Sequence, residues 1–172
     1  MRSDEVGFWH GPGADDTVRQ DDDDGEALRE VDVRRVAIGL LARREHSTLE
    51  LARKLELRRF PETLIDEALA RLADDGLLSD ERFAEEFVRS RVGRGPGPRK
   101  IRHELKARGI DAAHADRLLY GDSHDWQALA EAARRRRFGN GVPAEFPERA
   151  RQARFLQQRG FDPEHARGAA GL

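Results

Sequence analysis

Residues 79–110 read SDERFAEEFVRSRVGRGPGPRKIRHELKARGI, and this stretch decides the fold. It spells helix, rigid turn, helix. Asp80 and Glu81 sit where an N-cap and a first turn favour carboxylates, and Phe83 and Phe87, four apart, share one helical face. Gly95-Pro96-Gly97-Pro98 then ends one helix and begins another. Gly95 precedes a proline and is pushed toward extended geometry, Gly97 is free to take the angle the reversal needs, and Pro98 suits a first helical turn. In the second helix Ile101 and Leu105 face inward, while Arg99, Arg102 and Lys106 form an outward basic row.

Working outward, the end of this stretch recurs at a nearly fixed interval. With Phe60, Ile110 and Phe161 set in register, Leu55, Leu105 and Leu156 stand five residues earlier. Arg58, Arg108 and Arg159 stand two earlier, and Arg59, Gly109 and Gly160 one earlier. Downstream, Ile65 and Leu69 correspond to Ala115 and Leu119, then to Ala166 and Ala170. A further helix precedes each anchor, over Val33 to Leu41, Phe83 to Arg94 and Trp126 to Phe138. The expected fold is all-α: three tandem three-helix, helix-turn-helix-like repeats in an elongated curved array. A unit of about 45 residues buries too little apolar surface to stand alone, so neighbours should stack.

The expected divisions are an acidic tail over 1–31 and repeats over 32–78, 79–121 and 122–172. The tail mixes Gly, Pro and Asp without apolar periodicity, and its Asp21 to Asp24 run repels itself, so disorder is expected there. Phe8, Trp9 and His10 are unusual in such a tail and fit a short binding motif only weakly. In the first repeat the opening helix should end near Glu45; Ser47 with Glu50 has the form of a capping box, and Pro61 opens the third helix, which Gly76 stops. The third repeat departs most, with Gln152 at an inward position and an Ala- and Gly-rich last helix, so its C-terminal edge should be the weakest part.

Composition narrows the function classes. Aromatic residues make up 6% of the chain and charged residues 37%, which argues for a thin helical structure laced with charge. There is no cysteine, hence no disulfide framework, Cys-ligated zinc or thiol chemistry. No apolar run approaches a membrane span and no signal peptide opens the chain, so a cytoplasmic protein without membrane contact is expected. Asp74, Asp75, Asp80 and Glu81 flank a helix end and a helix start, where capping accounts for them. The six histidines show no ligand spacing, no serine has a nucleophile's context, and no phosphate loop or dinucleotide fingerprint occurs. Neither an enzyme nor a cofactor is expected.

Charge placement remains. Residues 1–32 carry eleven acids against three arginines, whereas 82–108 hold nine Lys or Arg against three Glu. Arg82 with Glu86, and Glu85 with Arg89, are spaced to pair along one helix. Arg91, Arg94, Arg99, Lys100, Arg102 and Lys106 meet little acidic competition apart from Glu104, and mark a candidate binding face. Arg134 to Arg137 suit a helix C-terminus, yet four consecutive helical residues sweep a full turn and cannot all serve one purpose. Arg134, Arg135, Arg136 and Arg151, with Arg149, Arg154 and Arg159 nearby, suggest a second basic surface for an anionic or acidic partner.

These segments together resemble the RecX family of recombination regulators. The matching residues are Leu41 to Ser47 with Glu50 and Leu51, Asp75 to Ala84, and Phe87 to Arg91. They continue with Arg94 to Pro98, Ile101 with Glu104 and Leu105, and Arg154 to Phe161, so that the resemblance runs from about Val33 to Ala170 and leaves the tail aside. It implies a regulator that binds the RecA nucleoprotein filament and restrains its recombinase, ATPase and coprotease activities. DNA phosphates, on single or double strands, are a further expected contact, and a monomer the expected state. The family offers no catalytic residues to transfer. The alternative is a helical-repeat protein that acts directly on DNA.

Overall fold

The computed structural model describes residues 32–172, in which all regular structure is helical. The acidic tail and its Phe8, Trp9 and His10 lie outside the described residues. Helix α1 covers 32–41, followed by α2 (Thr48–Glu56) and α3 (Glu62–Asp74). The middle unit holds α4 (Asp80–Val92), α5 (Pro98–Lys106) and α6 (Ala112–Tyr120). The last holds α7 (Trp126–Phe138), α8 (Phe146–Gln158) and α9 (Pro163–Ala170). In these two units each helix packs on both others.

The repeat register has a local cause. After α2, α5 and α8 the chain makes the same reversal, with Arg59, Gly109 and Gly160 at φ +64°, +82° and +91°. The amides of these residues donate to Glu56, Lys106 and Gln157, and those of Phe60, Ile110 and Phe161 reach back to Leu55, Leu105 and Leu156. This is a Schellman ending, whose two crossed bonds satisfy carbonyls that a helix end leaves open. The paired apolar residues fall at the two ends of the longer bond. The interval read from the sequence is therefore the spacing of three identical helix stops.

Several helix starts differ from expectation. Ser79, rather than Asp80, caps α4, its hydroxyl accepting from the Arg82 amide at 3.2 Å. Ser47 caps α2 by accepting from the Glu50 amide, but the Glu50 carboxylate leaves the box for Arg44 and Arg108. Pro61 stands at the cap of α3, one residue before its first turn, and α1 stops at residue 41, short of Glu45. Arg82 bonds Glu45 at 2.9 Å instead of Glu86, because the chain ahead of α2 brings a carboxylate closer than its own helix does.

Stacking is unequal. Units 2 and 3 share one core, in which Ile101, Leu105 and Leu119 pack with Leu156, Phe161 and Ala166. Trp126 opens α7 inside this core, its indole N–H donating to the Leu119 carbonyl at 2.5 Å and its ring edge-on to Phe161. Unit 1 encloses a core of its own, built from Val33, Leu51, Leu55, Ile65, Leu72 and their neighbours. Polar contacts join it to unit 2: the Thr48 amide donates to Asp80 at 2.7 Å, and Arg108 meets Glu50 at 3.0 Å.

The glycines of the central turn also behave differently from expectation. Gly95 takes φ +94° rather than an extended angle. Gly97 lies at φ −82°, open to any residue, and its smallness serves another end: a Cβ there would collide with the backbone of Gly160 and Phe161. The amides of Gly97 and Arg99 donate to the carbonyls of Arg159 and Gly160 at 2.9 and 3.0 Å. The turn thus docks unit 2 onto unit 3. At the C-terminal edge, Ala166, Ala169 and Ala170 are buried, so the small residues of α9 mark a close approach of helices.

Candidate functional site

The start of α5, bonded to the end of α8, projects its basic row along the joint of units 2 and 3. A groove of about 970 Å³ opens there, lined by Arg99, Lys100, Arg102, His103 and Lys106 of α5. Gln157, Gln158 and Gly160 at the end of α8, with Asp116, Tyr120 and Asp162, complete its lining. The row expected to face outward does so, but two of its members are partly neutralised. Arg102 forms a two-pronged pair with Asp116 at 2.5 and 2.9 Å, whose hydrogen bonding holds the Asp116 carboxyl below its usual range. Arg99 stands 4.0 Å from Asp162 and keeps 61% of its side chain exposed. Burial, with Asp162 and Asp116 nearby, pushes the Tyr120 hydroxyl up to about 12, so it stays a neutral donor at physiological pH. Lys100 and Lys106 are exposed and form no ion pair among the described residues. Among groove cations they are the ones left for an external anion.

The other expected residues part company. Arg91 is only partly exposed, bonded to Glu104 at 2.8 Å and placed 4.6 Å from the Phe87 ring centroid, where Arg108 lies at the same distance. It belongs to a structural network that continues through Arg108 and Glu50 to Arg44. Arg134 is a correction: it is 3% exposed, not part of a surface. Its guanidinium donates to the carbonyls of Gly139, Asn140 and Gly141 and to Gln152, so it organises the loop before α8. Gln152, polar at an inward position, is explained by the same contact. The full-turn sweep of four arginines requires one of them to face in. Arg135 pairs with Glu131 at 3.5 Å, and Arg151 with Glu148 at 2.9 Å beside the Phe138 ring. Arg94 and Arg136 meet at a second concavity, joined by Arg137 and Arg159.

Sequence reasoning missed Tyr120, Gln157, Gln158 and His103 as groove residues. The available signal was the glycine pair, since Gly97 and Gly160 sit where two backbones touch. Among the described residues no three His, Asp or Glu side chains are grouped as metal ligands would be. Among the same residues no helix is long and apolar enough to cross a membrane.

Comparison with known proteins agrees with this architecture. Residues 34–72, 79–119 and 124–169 match the models for the first, second and third three-helix domains of RecX. The regulatory protein RecX of Halorhodospira halophila is 51% identical over 138 residues, spanning 80% of this chain and 86% of that relative. The regulatory protein RecX of Pseudomonas entomophila is 48% identical over 134 residues, spanning 78% and 86%. A crystal structure of regulatory protein RecX superimposes with a TM-score of 0.74 at 22% identity, covering 92% of this chain and 78% of that one. RecX from Lactobacillus salivarius superimposes at 0.72 and 21% identity, covering 84% and 96%.

Proposed function

The chain belongs to the RecX family of regulatory proteins, and on that premise we propose that it binds the RecA nucleoprotein filament. There it restrains recombinase, ATPase and coprotease activity in DNA repair and the SOS response. The observation that carries this reading is the ordered match of all three units to RecX domains. A filament repeats its protomers, and a chain of repeated units meets such a partner through several weak contacts whose effects multiply. Within that scheme α5 grips with Arg99, Lys100, Arg102 and Lys106, meeting acidic filament surface or DNA phosphates. The protein acts as a monomer and by binding rather than catalysis.

The test is the single-stranded-DNA-dependent ATPase of the cognate RecA. Purified protein lowers it at substoichiometric amounts, because one bound chain affects the filament beyond its own contacts. Unchanged ATPase and strand exchange at equimolar protein contradict the proposal. Steep salt-dependent binding to naked duplex without RecA would favour direct action on DNA instead.

A further inference from the structure

The second concavity, of about 400 Å³, holds Arg94, Arg136, Arg137 and Arg159 around Ala133 and Phe155. A Cβ built on Gly95 would stand 3.1 Å from both Arg136 Nη2 and Arg159 Nη2. The two guanidinium tips therefore converge on one point, no more than about 6 Å apart. Like charges so close repel. Among the described residues no carboxylate lines the concavity, in contrast to the α5 groove, where Asp116 and Asp162 offset Arg102 and Arg99. Arg159 is held in place by its Nε bond to the Gly95 carbonyl at 3.2 Å and by the Phe155 ring, 5.6 Å away. The negative end of α7 explains cations in its own last turn. Arg159, the C-cap of α8, and Arg94, just past the end of α4, stand at the negative ends of their own helices, which accounts for each cation singly but not for the gathering of four in one concavity.

We propose that this concavity is a phosphate-binding site. A phosphate group seats between Arg136 and Arg159, with Arg94 and Arg137 supplying further charge. Two guanidinium forks offer more donors than one carboxylate has oxygens to accept, and four cations without an ion pair among the described residues favour a multiply charged anion. The volume also suits a ligand of nucleotide size. The phosphate comes either from the backbone of a nucleic-acid strand or from a free nucleotide. The site lies apart from the α5 row and does not depend on filament binding.

The test is calorimetric titration of the full chain at constant ionic strength, in one arm with inorganic pyrophosphate and in another with an oligothymidylate lacking terminal phosphates. Saturable binding is expected with at least one probe. Arg94→Gln with Arg136→Gln weakens that binding roughly tenfold or more. Tighter, variant-sensitive binding of the oligonucleotide identifies a strand phosphate, and of pyrophosphate a free one. In the pyrophosphate arm, Arg35→Gln, on α1 and outside the lining of either concavity, leaves the affinity within about twofold. Circular dichroism checks the fold, and Arg137→Gln alone replaces the double variant if that fails to fold. Absence of saturable binding with both probes, or arginine variants that bind like the parent, overturns the proposal.

Discussion

Arg59 holds a left-handed backbone, φ +64°, at the position its two counterparts give to glycine. An L side chain there is strained by about 1–2 kcal/mol, part of which glycine regains and part of which it loses to a freer unfolded chain. Arg59→Gly is expected to stabilise unit 1 by about 1 kcal/mol in chemical denaturation. The opposite holds at Gly97, where a methyl group meets the backbone of Gly160 and Phe161. Gly97→Ala should cost about 2 kcal/mol or more, seen as a lower melting temperature, because neither partner is a side chain that can swing away. A third residue sets a pH dependence. His46 is 2% exposed, its Nδ1 facing the Arg44 carbonyl at 3.0 Å and its Nε2 the Lys54 ammonium at 2.7 Å. Lys54 donates to Nε2, so the neutral ring with its proton on Nδ1 fits both contacts. Burial lowers its pKa from 6.5, the charges of Arg44 and Lys54 add to the lowering, and the bond to the Arg44 carbonyl and the Glu50 carboxylate oppose it only in part. The unfolded chain then takes up the proton first, and stability falls as pH drops below 6.5 toward the folded value. Urea midpoints measured across that range should show this slope in the parent and lose it in His46→Gln.

At the level of elements, the two joints between units rest on different physics. Units 2 and 3 are welded by a common apolar core, while unit 1 meets unit 2 through Glu45, Glu50 and Asp80 and their partners. Glu50→Gln removes charge from the pairs with both Arg44 and Arg108. Hydrogen exchange in α2 and α3 should quicken while the amides of α5 and α8 keep their protection; a uniform change across all helices would contradict the separate cores. The nine-helix order among the described residues was legible in the sequence because Leu55, Leu105 and Leu156 recur in step with the helix stops. Which units share a core was not, since helical periodicity reports that Trp126 and Phe161 face inward but not whose interior they enter. The α5 row was legible for the same reason, being the polar side of a strongly amphipathic helix. The burial of Arg134 was hidden because its partners are backbone carbonyls of the 139–141 loop, which leave no mark in side-chain pattern.

For the molecule as a whole, the filament contact proposed for the middle unit rests on the core shared by units 2 and 3, and unit 1 is attached by charge. In that proposal Lys100 and Lys106 supply the charge that is unpaired among the described residues, and Arg99 and Arg102 add to it at the cost of their partners Asp162 and Asp116. The most direct measurement is titration of the full chain against preformed RecA filaments on single-stranded DNA, comparing the parent with Arg99, Arg102 and Lys106 all changed to Glu. The expected result is saturable binding by the parent and a loss of roughly tenfold or more in the variant, with its helical content unchanged. A parent that fails to bind the filament, or a variant that binds it as tightly, would contradict the account.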